Sequence, residues 1–215
     1  MAFSDYKSIA QVQAEHRVRY EEINFLEPHT HTPSQVFLDE FEFNQQNIDI
    51  FASEAARCEA IIFPILREIY KQYCKQTSLW VQKSISYTNK LSGTPDYLVS
   101  KRSPLGKTML ESPMIIVVEA KKNDFEQGWG QCLAELVAIA HINQSSASKS
   151  ASVYGIVTDG KLWEFAQFTG NTLTKQRDSY TVSNLPQLLG MTQAIFERTV
   201  NSMKQDANTF PDINA

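Results

Sequence analysis

The feature that most constrains this chain is a short apolar run, Met114 to Val118, that ends abruptly in Glu119-Ala120-Lys121-Lys122. A run with no polar face is what a central strand covered on both sides requires. It is far too short to span a bilayer. Residues two apart on a strand share a face, so Glu119 and Lys121 point the same way at the strand's end. Ionised groups at the end of a central strand cost several kcal/mol unless they are paired or bound to a metal. That cost asks for a chemical reason.

Around this strand the periodicity alternates between helix and sheet. From Ser53 to about Tyr73, Cys58, Ile61, Ile62, Ile65, Leu66, Ile69 and Tyr70 recur at helical spacing, with Pro64 removing one hydrogen bond and bending the helix. Leu79 to Tyr87 alternates as a strand, and Tyr97 to Val99 is a short β-prone segment. Phe125 to Ile142 reads as a second helix. Trp129, Cys132, Leu133, Leu136, Val137 and Ala140 form its buried stripe, and Gly128, Gly130, Ala134 and Ala138 allow close approach on its other side. Val153 to Val157 and Leu162 to Phe168 make a hairpin around Asp159-Gly160. A further strand near 171–176 and a helix over 184–203 complete an α/β (α+β) chain.

The ends are less regular. Residues 5–22 read as a polar helix, 27–33 as a loop, and Thr32-Pro33-Ser34-Gln35 as a helix start. The stretch 36–51 fits neither period and is taken as a short helix plus irregular chain. The expected division is an N-terminal helical extension over 1–45, a main domain over 46–205 and a loose tail over 206–215.

Composition narrows the class of function. Of 215 residues, 42% are hydrophobic and 20% charged, the balance of a chain that builds a core. The net charge of -4 argues against a non-specific nucleic-acid coating protein, whose affinity comes from phosphate contacts. Cys58, Cys74 and Cys132 are scattered without C-x-x-C pairing, so free thiols in a reducing, cytoplasmic compartment are expected, with no signal peptide and no membrane span. His29-Thr30-His31 lacks a third ligand at zinc spacing. There is no phosphate-binding glycine loop of the P-loop type and no G-x-S-x-G nucleophile.

The chemistry gathers on Pro95-Asp96 and Glu119-Ala120-Lys121. Hydrolysing a phosphodiester calls for a hard divalent cation, and Mg²⁺ takes oxygen ligands, commonly one or two carboxylates plus water and phosphate. Asp96 and Glu119 supply carboxylates of that kind, the Ala120 carbonyl a further oxygen, and Lys121 an ammonium to orient water and offset developing charge. Spacing does not choose between one metal and two. Each residue also has a plain structural reading: a turn at Pro95-Asp96, a strand-end ion pair at Glu119 and Lys121, a first-turn carboxylate at Glu54.

These residues resemble the PD-(D/E)XK phosphodiesterase superfamily. The helix beginning Glu54-Ala55-Ala56-Arg57 and running through Pro64 is similar to the first core helix of the nuclease domains of type I restriction subunits. The resemblance implies a restriction-endonuclease-like central mixed sheet flanked by helices, over about residues 50–170. It implies a Mg²⁺- (or Mn²⁺-) dependent DNA endonuclease with Asp96, Glu119 and Lys121 in the catalytic centre. It also implies an outer acidic ligand at Glu54 or else Glu59, and Gln131 near the active site. The phosphate contacts expected are Lys101 and Arg102 in the loop between the two motif strands, with Lys107 alongside and Lys122 nearby. The partners it implies are nucleic acid, a second copy for symmetric duplex cleavage, and a helicase or specificity subunit. The alternative is a catalytically silent copy of the same fold that serves as a protein or nucleic-acid interaction module.

Overall fold

The apolar run lies at the heart of the sheet. In the computed structural model, which describes residues 2–122, 124–145 and 152–209, the strand that contains it is the longest in the protein. In chain order the elements are α1 (Ile9–His16), β1 (Arg19–Ile23), α2 (Gln35–Asn47), α3 (Glu54–Arg57), α4 (Phe63–Tyr73), β2 (Thr77–Val81), β3 (Ile85–Ser86), β4 (Ser92–Gly93), β5 (Tyr97–Lys101), β6 (Glu111–Ala120), α5 (Phe125–Ser145), β7 (Ser152–Thr158), β8 (Leu162–Thr169), β9 (Thr172–Gln176), β10 (Tyr180–Thr181) and α6 (Leu185–Thr209). The main sheet has the order β1-β9-β8-β7-β6-β5-β2, with β10 on β8. β6 pairs parallel with β7 and β1 with β9, and the other pairings are antiparallel, so the sheet is mixed.

Helices cover both faces. Ile116, Val118 and Ala120 of β6 join one apolar cluster with Ile61, Ile65 and Leu66 of the α3–α4 helix and Leu188 and Phe196 of α6. Val117 and Leu98 join the other with Cys132, Leu133 and Leu136 of α5 and Val12 of α1. The chain is therefore a mixed α/β protein whose central sheet is flanked by helices. No helix among the described residues is long and apolar enough to cross a membrane.

The α3–α4 helix carries a local defect that its sequence explains. Between α3 and α4, Cys58–Ile62 form a π-helical turn in which Phe63 N–H bonds the Cys58 carbonyl. Pro64 has no N–H for the carbonyl four residues back, Ala60, and its ring crowds that carbonyl. The wider turn relieves the crowding. Asn44 of α2 donates its side-chain N–H to the Ala60 oxygen at 3.1 Å, so the orphaned acceptor is satisfied. The expected bend at Pro64 takes this form.

α5 sits close to the sheet because of its small residues. A methyl group on Gly128 would stand 2.7 Å from Val157 Cγ1 and 3.0 Å from Lys121 Cγ, and one on Gly130 would meet the Ser8 backbone at 2.5 Å. At its far end Asn143 both donates to the Met114 carbonyl (2.7 Å) and accepts from Met114 N–H (2.9 Å), beside an irregularity in the β5–β6 register.

Several expectations need correction. The helix read over 5–22 stops at His16. Arg17 turns left-handed (φ 58°), and Arg19–Ile23 form edge strand β1 instead. The ambiguous stretch is mostly the helix α2, capped by Ser34 rather than Thr32, and the boundary expected near residue 45 falls inside it. Residues 1–45 do not form a separate extension, since Phe3 and Val12 pack under α5 while Leu26, Phe37 and Phe41 pack beside α4. The strand read over 79–87 is two strands, broken at Gln82 (φ 48°). α6 runs through Thr209, past the expected start of the tail at 206, and residues 210–215 lie outside the described residues. Most of the polar loop expected over 145–152 lies outside them as well. The His29–His31 loop is a structural tie: His31 N–H donates to the Pro186 carbonyl and its Nδ1 contacts Gln193 Oε1 at 2.9 Å.

Candidate active site

The antiparallel pairing of β5 and β6 brings the two halves of the motif together. Tyr97 stands opposite Val118, so the residue before β5, Asp96, meets the end of β6. There Asp96 Oδ2 accepts the Ala120 N–H at 2.8 Å. Gln82 N–H in turn donates to the Asp96 carbonyl at 2.9 Å, which fixes the turn into β5. Burial raises the Asp96 pKa; the Ala120 N–H and Lys121 offset part of that rise, while Glu54 adds to it.

Glu119 and Lys121 follow on the same face, toward α5. Glu119 is fully buried, and Lys121 Nζ stands 3.3 Å from its Oε2. Burial, with Asp96 close by, pushes the Glu119 carboxyl up to about 7. Burial works against the Lys121 charge, but Glu119, Asp96 and Glu54 together outweigh it and hold its pKa above the ordinary lysine value. Lys121 N–H bonds the Thr158 carbonyl of β7 at 2.9 Å, and Gly128 of α5 lies over its side chain.

A second fully buried carboxylate, Glu135 of α5, completes the group. It faces Glu119, and burial together with that neighbour raises its pKa well above the ordinary value. Two ionised carboxylates have no donor between them. In that state Glu119 Oε1 and Glu135 Oε2 are buried acceptors without a hydrogen-bond partner, and Glu119 Oε2 has only its ion pair with Lys121. One retained proton turns the contact into a hydrogen bond. Gln131, one turn earlier and 8% exposed, donates to Glu135 Oε1 at 3.3 Å. The expected place of Gln131 is thus reached through Glu135, which the sequence reading passed over. Its signal was there: it is the one charged residue in the apolar stretch Cys132–Ala140.

The two candidates for an outer carboxylate, Glu54 and Glu59, differ in which groups their charge reaches. Glu54 is exposed on the first turn of α3, yet near enough to raise Asp96 and help keep Lys121 charged. Glu59 bears instead on Cys58 and Tyr97.

The basic group expected beside the motif does not form. Lys101 pairs with Glu111 at the opposite end of β5, roughly 16 Å from Asp96 at strand rise. Arg102 binds the Cys74 carbonyl there at 2.9 Å. The reason is the antiparallel pairing itself, which puts the β5–β6 connection at the far end of both strands. Lys107 lies in that same connection. Lys122 is exposed and follows the motif directly, so it alone stays at the site end.

Comparison with known proteins adds no relative: no protein-family model matches the chain, and no curated protein matches it.

Proposed function

We propose that the chain is a hydrolase of the PD-(D/E)XK type with a restriction-endonuclease-like fold, a nuclease that cuts DNA phosphodiesters with Mg²⁺ or Mn²⁺. One observation carries the reading: Asp96, Glu119 and Lys121 converge at one sheet end, where the buried Glu119 carboxyl has only the Lys121 ammonium, 3.3 Å from Oε2, and its contact with Glu135 to offset its burial. A buried carboxyl so sparsely partnered is costly. A divalent cation is the partner that oxygen ligands of this kind suit.

Asp96 and Glu119 would hold the cation, joined by the Ala120 carbonyl and, from the outer side, by Glu54. When bound, the cation supplies Lewis acidity toward the phosphate and lowers the pKa of a bound water. The protein's own groups do the rest. Ala120 N–H fixes the Asp96 carboxyl. Lys121, kept charged by three carboxylates, orients the attacking water and offsets the charge that develops on the phosphate. Gln131 holds Glu135, and Glu135 in turn positions Glu119.

A second reading has its own support: a catalytically silent member of the same fold that binds protein or nucleic acid. Among the described residues, no three or more His, Cys, Asp or Glu side chains are grouped so as to hold a metal ion. Incubation with single- and double-stranded DNA and RNA in Mg²⁺ or Mn²⁺ separates the two. The hydrolase reading expects cleavage that Glu119→Ala and Lys121→Ala abolish. Cleavage that survives both unchanged refutes the site, and no cleavage of any substrate favours the silent module. A reducing cytoplasmic setting, a homodimer for duplex cleavage and a helicase or specificity subunit as partner belong to the same proposal.

A further inference from the structure

A cavity of about 550 Å³ opens beside the same end of the sheet, on the α4 face. Its apolar wall is made by Ile50, Phe51, Ile61, Leu162 and Val182. Its rim is polar, with Gln45, Asp49 and the hydroxyl pair of Thr181 and Ser183, 2.6 Å apart. The size and the mix of an apolar body with a few polar groups suit a flat heterocycle.

The cations around it say which kind of heterocycle. Lys161, on the β7–β8 turn, lines the cavity and rests its ammonium 4.2 Å from the centre of the Phe51 ring. The Arg57 guanidinium carbon is 5.4 Å from the centre of the same ring, and only its Nη2 is engaged, by the Phe51 carbonyl at 3.2 Å. The Arg57 side chain is 4% exposed, and its Nε and Nη1 have no hydrogen-bond partner. Those donors are sealed from solvent and Arg57 does not line the cavity, so Lys161 is the cation that a ligand there would meet. Phe51 keeps 37% of its surface exposed. An aromatic surface flanked by cations is how single strands are held without sequence readout.

The location ties the cavity to the motif. Thr158 of β7 pairs with Ala120, and Trp163 of β8 pairs with Thr158, so the Lys161 turn lies about two strand spacings, roughly 10 Å, from the motif strand. We propose that this cavity takes an unstacked nucleobase of a nucleic-acid strand, with the adjoining phosphate held by Lys161. The inference deepens the hydrolase reading and rests on it for the choice of a nucleic acid. It adds single strands and frayed ends to the duplex that the hydrolase reading expects as substrate.

The test measures anisotropy of a fluorescein-labelled oligothymidylate and of a blunt hairpin duplex, with EDTA present so that nothing is cut. Phe51→Ala should weaken oligothymidylate binding roughly five-fold or more, because it removes one stacking contact. Phe51→Trp should retain binding, and Lys161→Ala should weaken it while lowering the salt slope by about one. The blunt duplex should respond less to all three. Unchanged binding in Phe51→Ala and Lys161→Ala overturns the inference, as does a wild-type protein that binds no oligothymidylate. Metal-dependent cleavage is scored separately. Phe51-dependent binding without Glu119-dependent cleavage keeps the base pocket and removes the hydrolase reading, and the converse result does the opposite.

Discussion

The two ends of the β5–β6 pair are built from the same strands and treat polar groups in opposite ways. At the far end every featured group has a partner. Met114 is tied on both backbone atoms by Asn143, Trp80 Nε1 donates to Ser100 Oγ at 2.9 Å, and Arg102 holds the Cys74 carbonyl. At the motif end Glu119 and Glu135 are sealed from water, and their facing oxygens have no donor beyond the Lys121 ammonium and a proton they must retain. Stability alone would select the first arrangement, since an unpaired buried group costs about 1–3 kcal/mol and more when charged. The second persists where the cost serves something else, and perturbed carboxyls cluster at functional sites for that reason.

The sharpest way to break the comparison is to remove one group from each end. Glu119→Ala should reduce metal-dependent cleavage by about a hundred-fold or more, the usual loss when an acid–base or metal-site group is deleted. The same change should cost little stability, because it also relieves a buried acid pair. Asn143→Ala should do the reverse. It strands the N–H and carbonyl of Met114, so a loss of about 3 kcal/mol in urea unfolding is expected, with cleavage per folded molecule near wild type. If Glu119→Ala is instead the more destabilising of the two, the motif end is a structural ion pair and the contrast collapses.

The pH dependence sharpens the same point. Unfolded, the Glu119 carboxyl loses its proton at about 4.5; folded, it keeps it to about 7. Between those values the folded state holds more protons, so its stability falls as pH rises. The contribution is fully present below about 4.5 and is lost as pH climbs through about 7. Glu135, also raised, adds to it. Glu135→Gln removes the need for a proton between the two groups. It should flatten the pH profile of Tm and stabilise the metal-free protein by about 1–3 kcal/mol near pH 8. A profile identical to wild type would mean that the two carboxyls do not share a proton.

How much of this the sequence disclosed follows from where the signals were local. The central strand was legible because Met114–Val118 has no polar face. The hairpin was legible from Asp159-Gly160, where Gly160 takes φ 88°, and the close seat of α5 from its small residues. Asp96, Glu119 and Lys121 could be brought together because adjacent strands place them so. β1 was not legible: all five of its residues are exposed, and its partner β9 lies about 150 positions along the chain. α2 was obscured because Val36 and Phe43 point outward and break the apolar period. Glu135 was passed over because its neighbours look like plain core. Lys101 and Arg102 were misplaced because sequence nearness to the motif was taken for nearness in space.

That misplacement supplies the smallest effect and the most specific one. Arg102 lies at the satisfied end and makes a surface hydrogen bond to the Cys74 carbonyl, and Lys101 is exposed beside it. Surface changes of this kind usually move stability by less than about 0.5 kcal/mol. Lys101→Ala and Arg102→Ala should therefore leave both Tm and cleavage near wild type. Lys122→Ala at the other end should weaken binding modestly and lower the salt slope by about one, the mark of a single lost phosphate contact. A titration of DNA binding against salt reads all three. Were Arg102→Ala to lower the slope as much as Lys122→Ala, the bound strand would have to reach along the whole length of β5. The functional surface would then no longer be confined to one end of the sheet.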